Sequence, residues 1–433
     1  MQYACRVLFD VVLKIPYLLH STENDSPTDS DVVIWYSVKQ TDWANALHII
    51  PQGLVFSNEI KPLTPTVSRI ENVPVLFTNA PPCQLGFDIF SAVFFMASRY
   101  EEYLPFTPDS YGRFPEKESV SGKNNFTRIP VVHHWANMIS GKFKQAQKKL
   151  EVYINQPVAI FTYDIDVAYA YRGRSLQTHL LSLVKDVVQV NFKNIQRKIL
   201  ARFGTKSDPS DTYSIIELNP LPTICFFLLA QVKSVYDRNI DPTQQVLQAL
   251  IKKLSGKSKP GIHPSYYSSD NPALIKTENK NLESISNQSI ETSRQHYLRF
   301  RFPDTFRQLI KAGIVHDYSL QYPEMPGFRA GLCLPFPFFD VEANGITGLT
   351  LHPGCIMETT FRDDLHLPAA QSLPYYLKLW QEVKAVGGQF ISIWHNDTLW
   401  EGLPDNHPLA FRQVHQKMVE RICDDLKQPA TNP

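Results

Sequence analysis

Apolar and polar positions alternate along this chain in two distinct periods, and the switch between them marks out its elements. Residues 158–162 (Val-Ala-Ile-Phe-Thr) form an unbroken apolar or β-branched run, the pattern of a strand buried on both faces of a parallel sheet. Residues 223–230, 314–317, 349–353 and 389–394 repeat that pattern, and Gly261-Ile262-His263 reads as a strand end. Between them, helical spacing covers 243–254, 284–298, 305–312, 373–387 and 409–426. Alternation over this length predicts a parallel sheet in an α/β architecture, most simply a (β/α) barrel spanning 155–433.

The first 150 residues read differently, as a smaller α+β domain. Short strands are expected at 32–36, 54–56 and 73–76, with a polar loop at 21–31. A helix beginning near Gly86 is apolar on nearly every face until Ser98, so it must be buried. It runs into Arg99-Tyr100-Glu101-Glu102-Tyr103, which reads as a helix end satisfied by ion pairs, with a catalytic cluster as the alternative. Another helix is expected from Trp135 to about Lys149. A basic helical insertion is expected at about 174–206, where Arg172, Arg174, Lys185, Lys193, Arg197, Lys198, Arg202 and Lys206 face only Asp186. It is either packed on the domain or a peripheral contact for a membrane surface.

Charge narrows the partners. The 433 residues carry 43 Lys and Arg against 42 Asp and Glu, a formal net charge of +1. That balance argues against a chain coated with nucleic acid or anionic lipid over its whole surface. Hydrophobic residues at 43% and charged residues at 20% describe a globular protein and exclude disorder as its main state. Aromatics at 12% together with 32 Pro lean toward loop-built concave surfaces, common in carbohydrate-handling proteins. Cys5, Cys83, Cys225, Cys333, Cys355 and Cys423 form no CxxC pair and sit mostly among apolar neighbours, as buried free thiols of a reducing compartment would. Arg6, Asp10 and Lys14 interrupt the apolar stretches of residues 1–20, so neither a signal peptide nor a spanning helix is expected, and the chain reads as cytoplasmic.

Candidate chemistry gathers at strand ends. Asp164 and Asp166 end the first strand of the large domain, His263 ends a later one, Arg329 follows the strand at 314–317, and His395 ends the last. His296 lies in the segment after His263, expected to be helical. In parallel sheets, functional groups collect at carboxyl ends of strands. Carboxylate and neutral imidazole suit Zn²⁺ or a similar divalent ion. Residues two apart on an extended end point the same way, so Asp164 and Asp166 can face one cavity, although an Asp capping an ordinary turn looks the same. Their mutual repulsion calls for a cation or an Arg, and Arg329 is the expected partner of Asp164.

These residues resemble a known family. Thr162-Tyr163-Asp164-Ile165-Asp166 is similar to the first motif of the polysaccharide deacetylase superfamily (NodB homology, carbohydrate esterase family 4), with one residue inserted between the carboxylates. Gly261-Ile262-His263-Pro264-Ser265-Tyr266 resembles its second motif, Gly327-Phe328-Arg329-Ala330-Gly331 its third, and Ile393-Trp394-His395-Asn396 its last. The strings 293–299 and 98–104 look most like a subgroup with an uncharacterised N-terminal domain. The resemblance implies a distorted (β/α) barrel with Asp164 as base, Asp166 and His263 as metal ligands, Arg329 orienting the base and His395 as general acid. It also implies a bound divalent metal, with zinc the expected identity, and an N-acetylated carbohydrate substrate. The family's second motif places another His four residues after the first, where this chain has Tyr267; His296 is the expected replacement and His352 the runner-up. Three functions follow: removal of N-acetyl groups from a glycan or amino sugar, turnover of a small non-sugar amide, or glycan or protein binding without catalysis.

Overall fold

The computed structural model describes residues 1–20, 32–41, 43, 46–79, 81, 83–146, 155–174, 192–202, 208–232, 234–400, 402 and 410–427. Most of the basic insertion lies outside the described residues, apart from the helix Phe192–Arg202. Among the described residues no helix is long and apolar enough to cross a membrane.

In chain order the strands are β1 (Val33–Tyr36), β2 (Ala46–Ile49), β3 (Val67–Ile70), β4 (Val73–Leu76), β5 (Val158–Ile165), β6 (Thr223–Leu228) and β7 (Lys259–His263). They continue as β8 (Thr292–Ser293), β9 (His316–Asp317), β10 (Phe336–Asp340), β11 (Gly345–Leu351), β12 (Ile356–Met357) and β13 (Gln389–His395). β5 to β13 form one nine-stranded sheet in the order β10-β11-β9-β8-β7-β6-β5-β13-β12. Every neighbouring pair is parallel except the hairpin β10–β11. The mostly parallel α/β sheet agrees with the alternation in the sequence. Among the described residues no pairing closes the sheet into a barrel, because β10 and β12 end the order on opposite sides.

Register lines up the strand ends. Asp164 pairs with His395 across β5 and β13 and with Phe226 across β5 and β6, while Leu228 pairs with His263 across β6 and β7. Parallel strands in register put their carboxyl ends along one rim, which carries Asp164, His263 and His395 together.

Two sequence expectations are corrected. Residues 284–298 are not a helix: the helix is Pro272–Ser286, it stops at Asn287 in left-handed conformation (φ 56°), and β8 follows. Asn tolerates that conformation and the pairing of β8 with both β7 and β9 then claims the backbone, so His296 sits just past a strand end. Residues 54–56 form a 3-10 turn rather than a strand, started by Gly53 at φ 92°.

The N-terminal region packs on the sheet without a break in the core, since a single hydrophobic cluster runs from Tyr3 through Phe94 and Phe339 to Ile422. Tyr3 stacks on Phe339 at 4.7 Å, and Phe94 meets the same ring edge-on at 5.4 Å. The apolar helix Ile89–Ala97 is buried at every residue and is capped by Asp88, whose side chain accepts the Ser91 N–H. It ends where Arg99 turns left-handed (φ 54°). All six cysteines are free, and all but Cys423 are buried.

Candidate metal centre

Asp166, His263 and His296 converge at the carboxyl rim, with one ligand atom from each lying within 4.8 Å of the others. His263 Nε2 is 3.2 Å from Asp166 Oδ1, and His296 Nε2 is 3.4 Å from Asp166 Oδ2. Donors around a tetrahedral ion at about 2.1 Å stand roughly 3.4 Å from each other, so these spacings suit a small divalent cation. His395 Nε2 approaches Asp166 Oδ2 at 3.8 Å and closes the fourth side.

Each imidazole is oriented by an oxygen that can only accept. His263 Nδ1–H donates to the Arg294 carbonyl at 2.6 Å, His296 Nδ1–H to Asp237 Oδ1 at 2.9 Å, and His395 Nδ1–H to Glu358 Oε1 at 2.7 Å. At His263 and His296 a proton on Nδ1 leaves the Nε2 lone pair of the neutral ring aimed at Asp166, as metal-ligating histidines require. The orienting groups are held in turn: Asp237 accepts the Tyr266 N–H and the Ser234 hydroxyl, and Glu358 accepts the His395 N–H and the Thr398 hydroxyl. Asp166 Oδ1 is buried and makes no hydrogen bond among the described residues, so this donor set has an acceptor left over for a cation.

The charges couple strongly. Burial works against ionisation of Asp166, but His296 and His263 outweigh it and hold the carboxyl well below its usual range. Burial likewise opposes a charged His296, yet Asp166 and then Asp237 push its pKa up to about 9. At His395 the Glu358 carboxylate overcomes the same penalty and pushes the pKa up to about 10.

Asp164 is buried beside this cluster, its Oδ2 3.7 Å from His263 Nε2. Its guanidinium partner is not Arg329. Arg294 Nη1 donates to Asp164 Oδ1 at 2.7 Å, while Arg294 Nε donates to the Tyr318 carbonyl and the guanidinium lies over the Phe226 ring at 4.3 Å. Arg329 is turned toward the N-terminal region, where Nε and Nη2 grip Glu102 at 2.9 and 2.6 Å. The cause is the backbone around it: Phe328 N–H donates to the Thr127 carbonyl and Val132 N–H to that of Gly331, tying this segment to the N-terminal region. Arg99 completes the network through Glu101 and Glu102 and donates to the Arg329 carbonyl. Arg99-Tyr100-Glu101-Glu102-Tyr103 is therefore the ion-paired helix end that its composition suggests.

The structure brings together Asp164, Asp166, His263, His296 and His395 and leaves Arg329 out. Tyr267, at the position of the family's second histidine, is 45% exposed. His352 lies elsewhere, hydrogen-bonded to His316 at 3.0 Å and stacked on Tyr318 at 4.2 Å. Three residues escaped the sequence reading. Arg294 is two positions before His296, and alternation along an extended segment puts both on one side; the helical assignment of 284–298 concealed it. Glu358 follows a strand of two residues and Asp237 sits in a loop, so neither carries a periodic signal. The aromatics beside the centre are Tyr111, Tyr236, Tyr266 and Tyr297, the last 4.6 Å from His296.

Residues 1–148 match the model of a family of unknown function (DUF7033). No curated protein matches the chain. Among solved structures, a candidate polysaccharide deacetylase from Mycobacterium smegmatis is 11% identical, with 65% of this chain and 96% of that one covered at a TM-score of 0.38. A 4-alpha-glucanotransferase from Thermococcus litoralis is 11% identical, with 63% of this chain and 38% of that one covered at a TM-score of 0.37. The PuuE allantoinase is 11% identical, with 62% and 84% covered at a TM-score of 0.38. Likenesses this distant leave function to the geometry of the site.

Proposed function

We propose that this protein is a metal-dependent hydrolase of the amide bond in an N-acetylated carbohydrate. The observation that carries the reading is the convergence of three imidazoles, each tied through Nδ1–H to an oxygen, on Asp166 beside a second carboxylate held by Arg294.

Asp166, His263 and His296 would hold the ion, with zinc the best match to two imidazoles and one carboxylate. Such an ion supplies Lewis-acid chemistry, drawing charge from an acyl oxygen and easing deprotonation of a water. Asp164 does the proton work: one oxygen is held by Arg294, and the other faces the centre as a base toward water. His395, charged at neutral pH through Glu358, delivers the proton that a departing amine needs.

The test is acetate release from N-acetylhexosamine oligomers by the zinc-loaded protein. Wild type is expected to turn them over, and Asp164→Asn to lose at least about 10²-fold in rate. Turnover of a small non-sugar amide with none of the oligomers would transfer the site to the amidohydrolase reading. Oligomer binding without turnover, at less than about half an equivalent of metal, would leave a binding protein.

A further inference from the structure

Tyr297 and Leu298, directly after His296, hold left-handed backbone at φ 60° and φ 50°. Neither is a residue that adopts this conformation readily, so the surroundings must impose it. The Tyr236 and Tyr266 rings meet Tyr297 at 5.6 Å from the sheet side, and the N-terminal region closes on the turn from the other. Arg113 Nη1 donates to the Tyr297 carbonyl at 2.7 Å, Arg299 Nε donates to the Tyr111 carbonyl at 3.2 Å, and the Tyr111 and Tyr297 rings lie 5.2 Å apart. The segment that presents Arg113 is itself locked: Asp109 accepts the N–H groups of Tyr111 and Arg113 through Oδ1 and the Arg113 Nε–H through Oδ2.

We propose that residues 109–113 are a positioning element of the metal centre, in which Arg113 and Tyr111 clamp the Tyr297–Leu298 turn and thereby fix the imidazole of His296. This rests on the reading of Asp166, His263 and His296 as the ligands. Asp237 orients the His296 ring from one side, but it acts on the ring alone and not on the turn that follows it. The clamp supplies that second constraint, and through it the N-terminal region of unknown function takes part in completing a site built on the sheet. Groups that orient ligands are worth about 10–100-fold in metal affinity.

The experiment is a Co²⁺ titration of the full chain followed by visible absorption, with near-ultraviolet circular dichroism to confirm folding. Arg113→Ala is expected to bind Co²⁺ about 10–100-fold more weakly with an altered band pattern, and Arg113→Lys, which keeps a donor for the Tyr297 carbonyl, to recover part of both. Should Arg113→Ala not fold, Tyr111→Ala removes the ring that meets Tyr297 and underlies the Arg113 guanidinium while keeping the Arg113–Tyr297 hydrogen bond, and is expected to weaken binding in the same sense. Wild-type affinity and spectrum in the folded variant would overturn the clamp while leaving the metal centre intact. Wild type that takes up no stoichiometric Co²⁺ would overturn the metal reading and the clamp with it.

Discussion

Arg294 Nη1 lies 2.7 Å from Asp164 Oδ1, and both side chains are almost completely buried. A buried charge that loses its partner costs about 3–5 kcal/mol. Arg294→Ala is therefore expected to destabilise the chain by about that amount in denaturant unfolding. It also removes the donor that aims Asp164, so the rate of amide hydrolysis per folded molecule is expected to fall by at least about 10²-fold. Arg329→Ala breaks the Glu102 pair and destabilises the chain, but it leaves Asp164 aimed and the rate per folded molecule in place. An undiminished rate in folded Arg294→Ala, or a comparable loss in folded Arg329→Ala, would reverse the assignment.

Glu358→Gln tests the acid. The Glu358 carboxylate lifts His395 above its ordinary value of 6.5 to about 10, so its contribution to stability is complete below pH 6.5 and is lost as pH rises through about 10. Without it, His395 sheds its proton at lower pH, and the alkaline limb of activity moves down by about 1–3 units. An NMR titration of His395 measures the same shift directly.

Metal uptake is expected to depend on pH through His296. The ring must be neutral to bind, while Asp166 and Asp237 push its pKa up to about 9 against the penalty of burial. Zinc affinity in a chelator competition should rise between pH 6 and 9, by at most about tenfold per pH unit for each proton displaced. A flat profile would mean that His296 is not a ligand.

Glu278, on the helix Pro272–Ser286, is buried against the Ser265 N–H, and burial pushes its pKa up to about 7. The folded state thus holds a proton that the unfolded chain releases near 4.5, so this group favours folding at low pH and its contribution falls as pH rises through about 7. Glu278→Gln is expected to remove that decline and to stabilise the protein at pH 8 by on the order of 1–3 kcal/mol. Thermal melts at pH 5 and pH 8 check the sign.

Much of the architecture was legible because it rests on local periodicity. The continuous apolar runs of β5, β6 and β13 can only be strands buried on both faces, and the all-round apolar helix Ile89–Ala97 can only be interior. Asp164 and His395 were legible for the same reason, since each closes such a run, His263 was legible as the end of a short strand, and parallel register carries strand ends to one rim.

The sequence by itself picked out the two carboxylates and three imidazoles that meet at one rim. What only the tertiary structure decided is which residue serves which. Two arginines were available for Asp164, and nothing in the spacing of either prefers it; β8, two residues long, aims Arg294 at the carboxylate, while contacts with the N-terminal region turn Arg329 away. The orienting carboxylates Asp237 and Glu358 and the clamp at Arg113 are equally silent in the sequence. They act across tens to hundreds of positions through hydrogen bonds a few ångströms long, and such bonds leave no period in the chain that makes them.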